Sequence, residues 1–245
     1  MDFPDPPLTL VFEDGGLMAV DKPAGLAVHR SRMVARDGDY LMDRLRTQAG
    51  GPLFLVNRLD RATSGLVLVA RSREVASALG EQLMSRSVDK TYLAVVRGWP
   101  DEAGEIDYPL SVGGMTGERK PALTRWRRLA TVEVPIALGR YPQQRYALLA
   151  LSPQTGRYRQ LRRHLHHIHH PIIGDSTLGR GEHNRLFRQH FSCHRMLLHA
   201  WKLSFEHPVS GTRLWLEAPL DATWTGLLER FGWTSALAGD DATTH

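Results

Sequence analysis

Met-Leu-Leu-His-Ala-Trp-Lys-Leu-Ser-Phe (196–205), then Ser210-Gly211, then Arg-Leu-Trp-Leu-Glu (213–217) is the stretch from which the fold class follows. Apolar and polar side chains alternate in Leu-Ser-Phe and along Leu-Trp-Leu-Glu. A period of two belongs to a strand with one covered face. The Ser-Gly dipeptide between the runs signals a reversal, so the pair reads as an antiparallel hairpin. Similar strand-like runs occupy 8–13, 17–21, 65–70, 91–97, 123–134 and 146–152, with further reversal signals at Gly104 and Gly113-Gly114. Helix-like runs cover 40–48, 73–85, 158–167 and 222–231. In the second of these, Ser72 is placed to cap, and Val75, Leu79 and Leu83 fall on one stripe. Many strands and few helices, without regular βαβ alternation, predict an α+β fold with a mostly antiparallel sheet.

The chain has 245 residues, 42% of them hydrophobic, enough to bury one sizeable core. Residues 1–7 read as a flexible leader, 8–233 as a single domain and 234–245 as a flexible tail. No apolar run approaches the ~18 residues of a membrane helix. The acidic, Pro-rich start is unlike a secretory signal. The single cysteine, Cys193, leaves no internal disulfide and no multi-cysteine zinc site. A cytoplasmic monomer is the expectation. Neither GxGxxG nor GxxxxGK[ST] is present, so no nucleotide cofactor is indicated.

The net charge of +5 is mild, but its distribution is uneven. Between Thr155 and Arg195 lie eight arginines and eight of the twelve histidines, against Asp175 and Glu182. Such a concentrated basic face suits a phosphate-backbone partner, although an Arg-rich solvated surface has the same composition. Within it, His164, His166, His167, His169 and His170 raise a metal reading, with His166 and His170 one helical turn apart. Pro171 should end the helix there, and no HExxH pattern occurs. The rings therefore read as partial positive charge facing nucleic acid, with no metal.

The segment that carries chemistry is Asn57-Arg58-Leu59-Asp60-Arg61-Ala62-Thr63-Ser64-Gly65-Leu66. Asp60, flanked by two arginines, precedes a Thr-Ser-Gly turn and an apolar strand. Guanidinium neighbours would hold the carboxylate ionised. Taken alone, these residues fit a structural ion pair as well as a catalytic carboxylate.

The segment resembles the His-Arg-Leu-Asp-x-x-Thr-Ser-Gly-Leu motif of the RluA-type pseudouridine synthases, and four more segments match that family in order. Val20-Asp21-Lys22-Pro23-Ala24-Gly25-Leu26 with His29 resembles its "NKPxG…VH" block, and Lys90-Thr91-Tyr92-Leu93-Ala94-Val95-Val96-Arg97-Gly98 its "KxYxAxVxG" strand. Thr155-Gly156-Arg157-Tyr158-Arg159-Gln160-Leu161-Arg162, closing with His170-Pro171-Ile172-Ile173-Gly174-Asp175, resembles "TGRxHQLR…HPIxGD". Arg195 to Ala200 with Phe205 to Pro208 resembles "RLxLHA…F.HP". Asn57 and Arg159 stand where the family has histidine. Further segments, VHRS at 28–31, the stretch around Gly139-Arg140-Tyr141-Pro142, and FGW at 231–233, resemble members that modify position 65 of tRNA. No S4-type module is expected.

The resemblance implies a pseudouridine synthase fold with flanking helices and a central catalytic cleft, no cofactor, and RNA, tRNA in particular, as the partner, modified in the acceptor/T-stem region. It implies an isomerase in which Asp60 acts on C1′ as nucleophile or removes a ribose proton, with Arg162 as its partner. Tyr92 would stack on the detached uracil, and Leu161 would line its pocket. Arg58 would hold the flipped nucleotide. Arg61, Lys90, Arg157, Arg159 and Arg163 would contact RNA. The alternatives are a family member acting on rRNA or another tRNA position, a silent RNA-binding domain, and an N-glycosidase that releases free uracil.

Overall fold

The computed structural model describes residues 6–29, 39–112 and 117–238. In chain order the elements are β1 (Thr9–Glu13), β2 (Leu17–Lys22), α1 (Leu41–Ala49), β3 (Phe54–Leu55), β4 (Ser64–Ala70), α2 (Arg73–Ser85) and β5 (Asp89–Arg97). Then come β6 (Ala103–Asp107), β7 (Leu110–Ser111), β8 (Arg119–Lys120), β9 (Leu123–Val134), β10 (Gln144–Pro153), α3 (Gln160–His167) and α4 (Gly181–Phe191). The chain ends with β11 (Leu198–Glu206), β12 (Arg213–Glu217), α5 (Ala222–Arg230) and α6 (Thr234–Ala238). This is an α+β fold whose strands pair mostly antiparallel. The chain divides into two compact units, Met1–Lys90 with Ala200–Pro219 and Thr91–His199 with Leu220–His245. No helix of the described residues is long and apolar enough to cross a membrane.

In the first unit, β4 is buried at all seven positions. Leu66, Leu68 and Ala70 pack with Leu17, Ala19 and Phe205 and with Val75 and Leu79 of α2. Val67 and Val69, on the opposite face, join Met18, Val20 and α1 through Leu41 and Leu45. The unbroken apolar run is what a strand covered on both faces requires, in contrast to the alternation along Leu-Trp-Leu-Glu. Ser72 caps α2 by accepting the Val75 N–H at 3.3 Å. The predicted hairpin forms, with β11 and β12 antiparallel and Gly211 at φ 71° in the turn. Gly65 has φ +107°, and a Cβ there would lie 2.2 Å from the Ala200 carbonyl oxygen. Only glycine lets the start of β4 approach that backbone.

The second unit orders its strands β5-β10-β9-β6. Gly104, read as a reversal, lies inside β6 opposite Trp126, and its missing side chain leaves room for the indole, 2.3 Å from where a Cβ would sit. Helix α4 was not legible. Arg180 at its N-cap supplies no side-chain cap, and its buried positions include His183 and Asn184 as well as Leu186 and Phe187. Helix α3 starts two residues later than expected because Arg159 adopts φ 51°. Part of the expected tail is ordered: α6 follows Trp233, whose indole N–H donates to Thr131 O at 3.1 Å. Residues 1–5 of the expected leader, Gly113-Gly114, 30–31 of the VHRS segment and 239–245 lie outside the described residues.

An edge-to-face chain of Tyr146, Phe187, Phe191, Phe231 and Trp233 fills the core beside α4. Buried His183 joins it, its Nδ1 2.9 Å from the Tyr146 hydroxyl. Burial, then the nearby Arg97 charge, brings the His183 pKa down to about 4. His164 is also buried and shifted down, chiefly by burial, with its ring bonded to Thr124 Oγ1 and Tyr108 O. These two rings are buried and are not part of an exposed histidine surface.

Gly65→Ala should cost more than about 3 kcal/mol, read as a lowered urea midpoint, since backbone must move to admit the methyl. His183 titrates lower in the fold than in the unfolded chain, so its stabilisation is complete above pH ~6.5 and is lost as pH falls towards ~4. Stability should drop by about 2 kcal/mol between pH ~7.5 and ~5 from this ring alone. His183→Gln should flatten that dependence in urea titrations at the two pH values.

Candidate active site

In the first unit, the Asp60 turn is built from backbone that is tied on both sides. Before it, Asn57 accepts the Leu68 N–H at 2.7 Å through its side-chain oxygen, clamping the incoming strand to β4. That is the work of the residue standing where the family has histidine. At the turn itself, the Asp60 carbonyl accepts the Thr63 N–H at 3.0 Å. After it, the Arg61 carbonyl accepts from the Gly25 N–H at 2.8 Å, and Arg61 Nε returns a bond to Gly25 O at 2.7 Å.

Lys22 sits beneath this junction, fully buried. Its ammonium donates to Pro23 O at 2.7 Å, Leu26 O at 2.9 Å and Arg61 O at 3.2 Å. Three donors meet three carbonyls from the two loops that carry the "NKPxG" and "RLD" matches. Asp60 is half-buried on this frame, Arg58 and Arg61 are exposed, and Lys90 at the edge of the unit is half-buried. The Lys90 pKa is lowered by burial first and by Arg86 second, with Asp89 opposing.

The second unit carries the other expected residues. Tyr92 lies on β5 opposite Leu151 of β10 and is half-buried. Arg162 is buried in α3 and lies side-on to Asp175, Nε to Oδ2 at 2.7 Å and Nη2 to Oδ1 at 2.8 Å. Burial works to raise the Asp175 pKa, but the Arg162 bonds and the Leu178 and Thr177 amides outweigh it and the carboxyl ends below its ordinary value. Asn184 of α4 completes the support, donating to Asp175 O at 2.9 Å and accepting the Gly174 N–H at 2.8 Å. Sequence reasoning quoted Asp175 but gave it no role, and missed Asn184. An Asp in a Gly-Asp turn beside an Arg-rich helix was the available signal for the first.

The entry to α3 is fixed by Gln160, which accepts from Thr155 Oγ1 and the Arg157 N–H and donates to Leu123 O and Thr124 Oγ1, all within 3.0 Å. The arginines around it divide by task. Arg163 forks onto Ser111, at 3.0 Å to the carbonyl and 2.8 Å to the hydroxyl. Arg157 Nε donates to Pro121 O, and Arg159 lies over the Tyr158 ring. Leu161 is buried. Arg195 pairs with Asp221. Only part of the expected basic face is therefore surface charge; Arg180, Arg185 and Arg188 are exposed. His166 and His170 bond to Leu178 O and Arg97 O. Among the described residues no three His, Cys, Asp or Glu side chains gather as metal ligands.

A family model described as RNA pseudouridylate synthase matches residues 16–167. The "tRNA pseudouridine synthase C" of Pectobacterium carotovorum is 48% identical over 94% of this chain, which spans 64% of that relative. The protein of the same name from Vibrio cholerae is 45% identical over 94% of this chain and 98% of its own length. The solved structure of human RNA Pseudouridylate Synthase Domain Containing 4 shares the fold, with a TM-score of 0.69 at 24% identity over 91% of this chain and 92% of its own. With a family model matching more than half of its length and relatives this similar along nearly all of it, the chain belongs to the RNA pseudouridylate synthase family.

Proposed function

We propose that this chain converts a uridine of tRNA to pseudouridine in the acceptor/T-stem region, at position 65, acting as a cytoplasmic monomer with residues 8–233 as its catalytic domain. The observation that carries the reading is the Asp60 turn, whose backbone is held by Lys22, Gly25 and Asn57. A carboxylate that must meet one ribose carbon needs such a fixed mount. The names of the bacterial relatives support tRNA as the substrate.

The reaction is an isomerisation. The C1′–N1 bond breaks, the uracil turns, C5 bonds to C1′, C5 loses a proton and N1 gains one. Nothing is oxidised or transferred, so the residues need only bind, orient and move protons. Asp60 is the carboxylate, as nucleophile at C1′ or as base at the ribose. Arg162 is its proposed charge partner, with Asp175 fixing the guanidinium plane. Tyr92 stacks on the free base and its hydroxyl serves proton transfer at C5, while Leu161 lines the pocket. Arg58, Arg61, Lys90, Arg157, Arg159 and Arg163 act on the RNA, Arg163 while held against Ser111.

Unmodified tRNA transcripts treated with the protein should carry pseudouridine at position 65, mapped by chemical modification and primer extension. Asp60→Ala should reduce this to background while thermal unfolding stays close to wild type. Activity surviving that change, modification of rRNA alone, or release of free uracil would each overturn the assignment. Asp175→Asn removes the side-on carboxylate that orients buried Arg162. It should cost about 3 kcal/mol in stability and lower kcat with little change in KM, measured in single-turnover and steady-state assays.

A further inference from the structure

Strand β5 holds Tyr92 and, five residues on, about 17 Å away and on the opposite face of the strand, Arg97. At the Arg97 end the second unit opens into a cavity of about 500 Å³ lined by Arg97, Tyr141, Gln144, Arg145, His170 and His183, among others. Two of its walls are buried polar groups, His183 at 3% and Gln144 at 6% exposure. Gln144 spends its amide on the loop above, donating to Tyr141 O at 3.2 Å and Ile136 O at 3.4 Å. Leu138 and Tyr141 exchange backbone bonds at 2.9 and 3.2 Å across Gly139, which has φ 59°.

The loop is thus braced to hold Tyr141 out at 51% exposure, with the Arg140 guanidinium 5.0 Å from its ring centre. A second exposed aromatic, Trp99, is fixed through its indole N–H to Val132 O, with Arg145 4.5 Å over its ring. Arg97 is half-buried, and among the described residues no carboxylate pairs with it. A half-buried guanidinium lining a cavity suits an anion, and an exposed aromatic ring on a braced loop suits a flat apolar group. A nucleotide supplies both, but only an unpaired one, because a base within a duplex has no free face.

We propose that this cavity binds an unpaired nucleotide of the RNA substrate, its base against Tyr141 and its phosphate at Arg97. The inference rests on RNA being the substrate, as proposed above. It gives the enzyme a second grip on its RNA, at the Arg97 end of β5 and on the other face of that strand from Tyr92, through which it senses a single-stranded segment next to the stem.

The test uses a fluorescently labelled, unstructured oligoribonucleotide and the full chain. Tyr141→Ala should weaken binding about tenfold, and Tyr141→Phe should retain it. Arg97→Gln should weaken binding and reduce its salt dependence. In turnover, both Tyr141→Ala and Arg97→Gln should raise KM about tenfold for RNA with an unpaired tail, leaving kcat within about twofold. On a stem trimmed of unpaired residues, wild type and variants should share one KM. Oligonucleotide binding indifferent to both substitutions, or equal KM changes on trimmed and tailed RNA, would overturn the proposal. If the wild type forms no pseudouridine in any RNA, the proposed function falls, and the oligonucleotide titration still decides the cavity.

Discussion

A buried ammonium dictates where the Asp60 turn can go. Removing an alkylammonium from water is expensive unless every proton finds an acceptor. Lys22 meets that condition with the carbonyls of Pro23, Leu26 and Arg61. Any drift of the turn would strand a proton of the lysine, so each loop is held in place by the desolvation cost of the other. This explains why a half-buried loop residue can act as a rigid part: the rigidity comes from a neighbour on β2, not from packing of the loop itself.

The second unit solves the same problem with the opposite charge pattern. Arg162 is buried beside Asp175, and the carboxylate is kept ionised by the guanidinium and two amides. A side-on pair sets both the position and the plane of the guanidinium. Helix α4, through Asn184, holds the Gly174-Asp175 turn in register with α3. Buried ions seldom add net stability compared with apolar packing. Their value here is directional, and both sit within motifs shared with the family.

The fold was legible wherever local chemistry and burial agree. Strand β4 announced itself as an apolar run, and α2 through Ser72 and its stripe. Reading failed where a side chain answers to a distant partner. Helix α4 buries His183 and Asn184 because Tyr146 and Asp175 receive them, which no local pattern encodes. Gly104 looked like a turn because its true neighbour, Trp126, is 22 positions away in sequence. For the site, the order of motifs points to Asp60, Tyr92 and Arg162 as candidates, whereas the Asp175 contact of Arg162 and the Ser111 contact of Arg163 depend on tertiary packing. The histidine run misled for the same reason: composition counts rings without distinguishing those in the core.

The Gly104 and Trp126 pair also bears on how this sequence can drift. The indole fills the space above a strand position that has no side chain, so the two sites share one volume. Neither can change size alone: a methyl at 104 collides with the ring, and a smaller residue at 126 leaves a void over bare backbone. Homologues that place a side chain at the first position must shrink the second, and that coupled exchange offers an internal check on the alignment of this edge of the sheet.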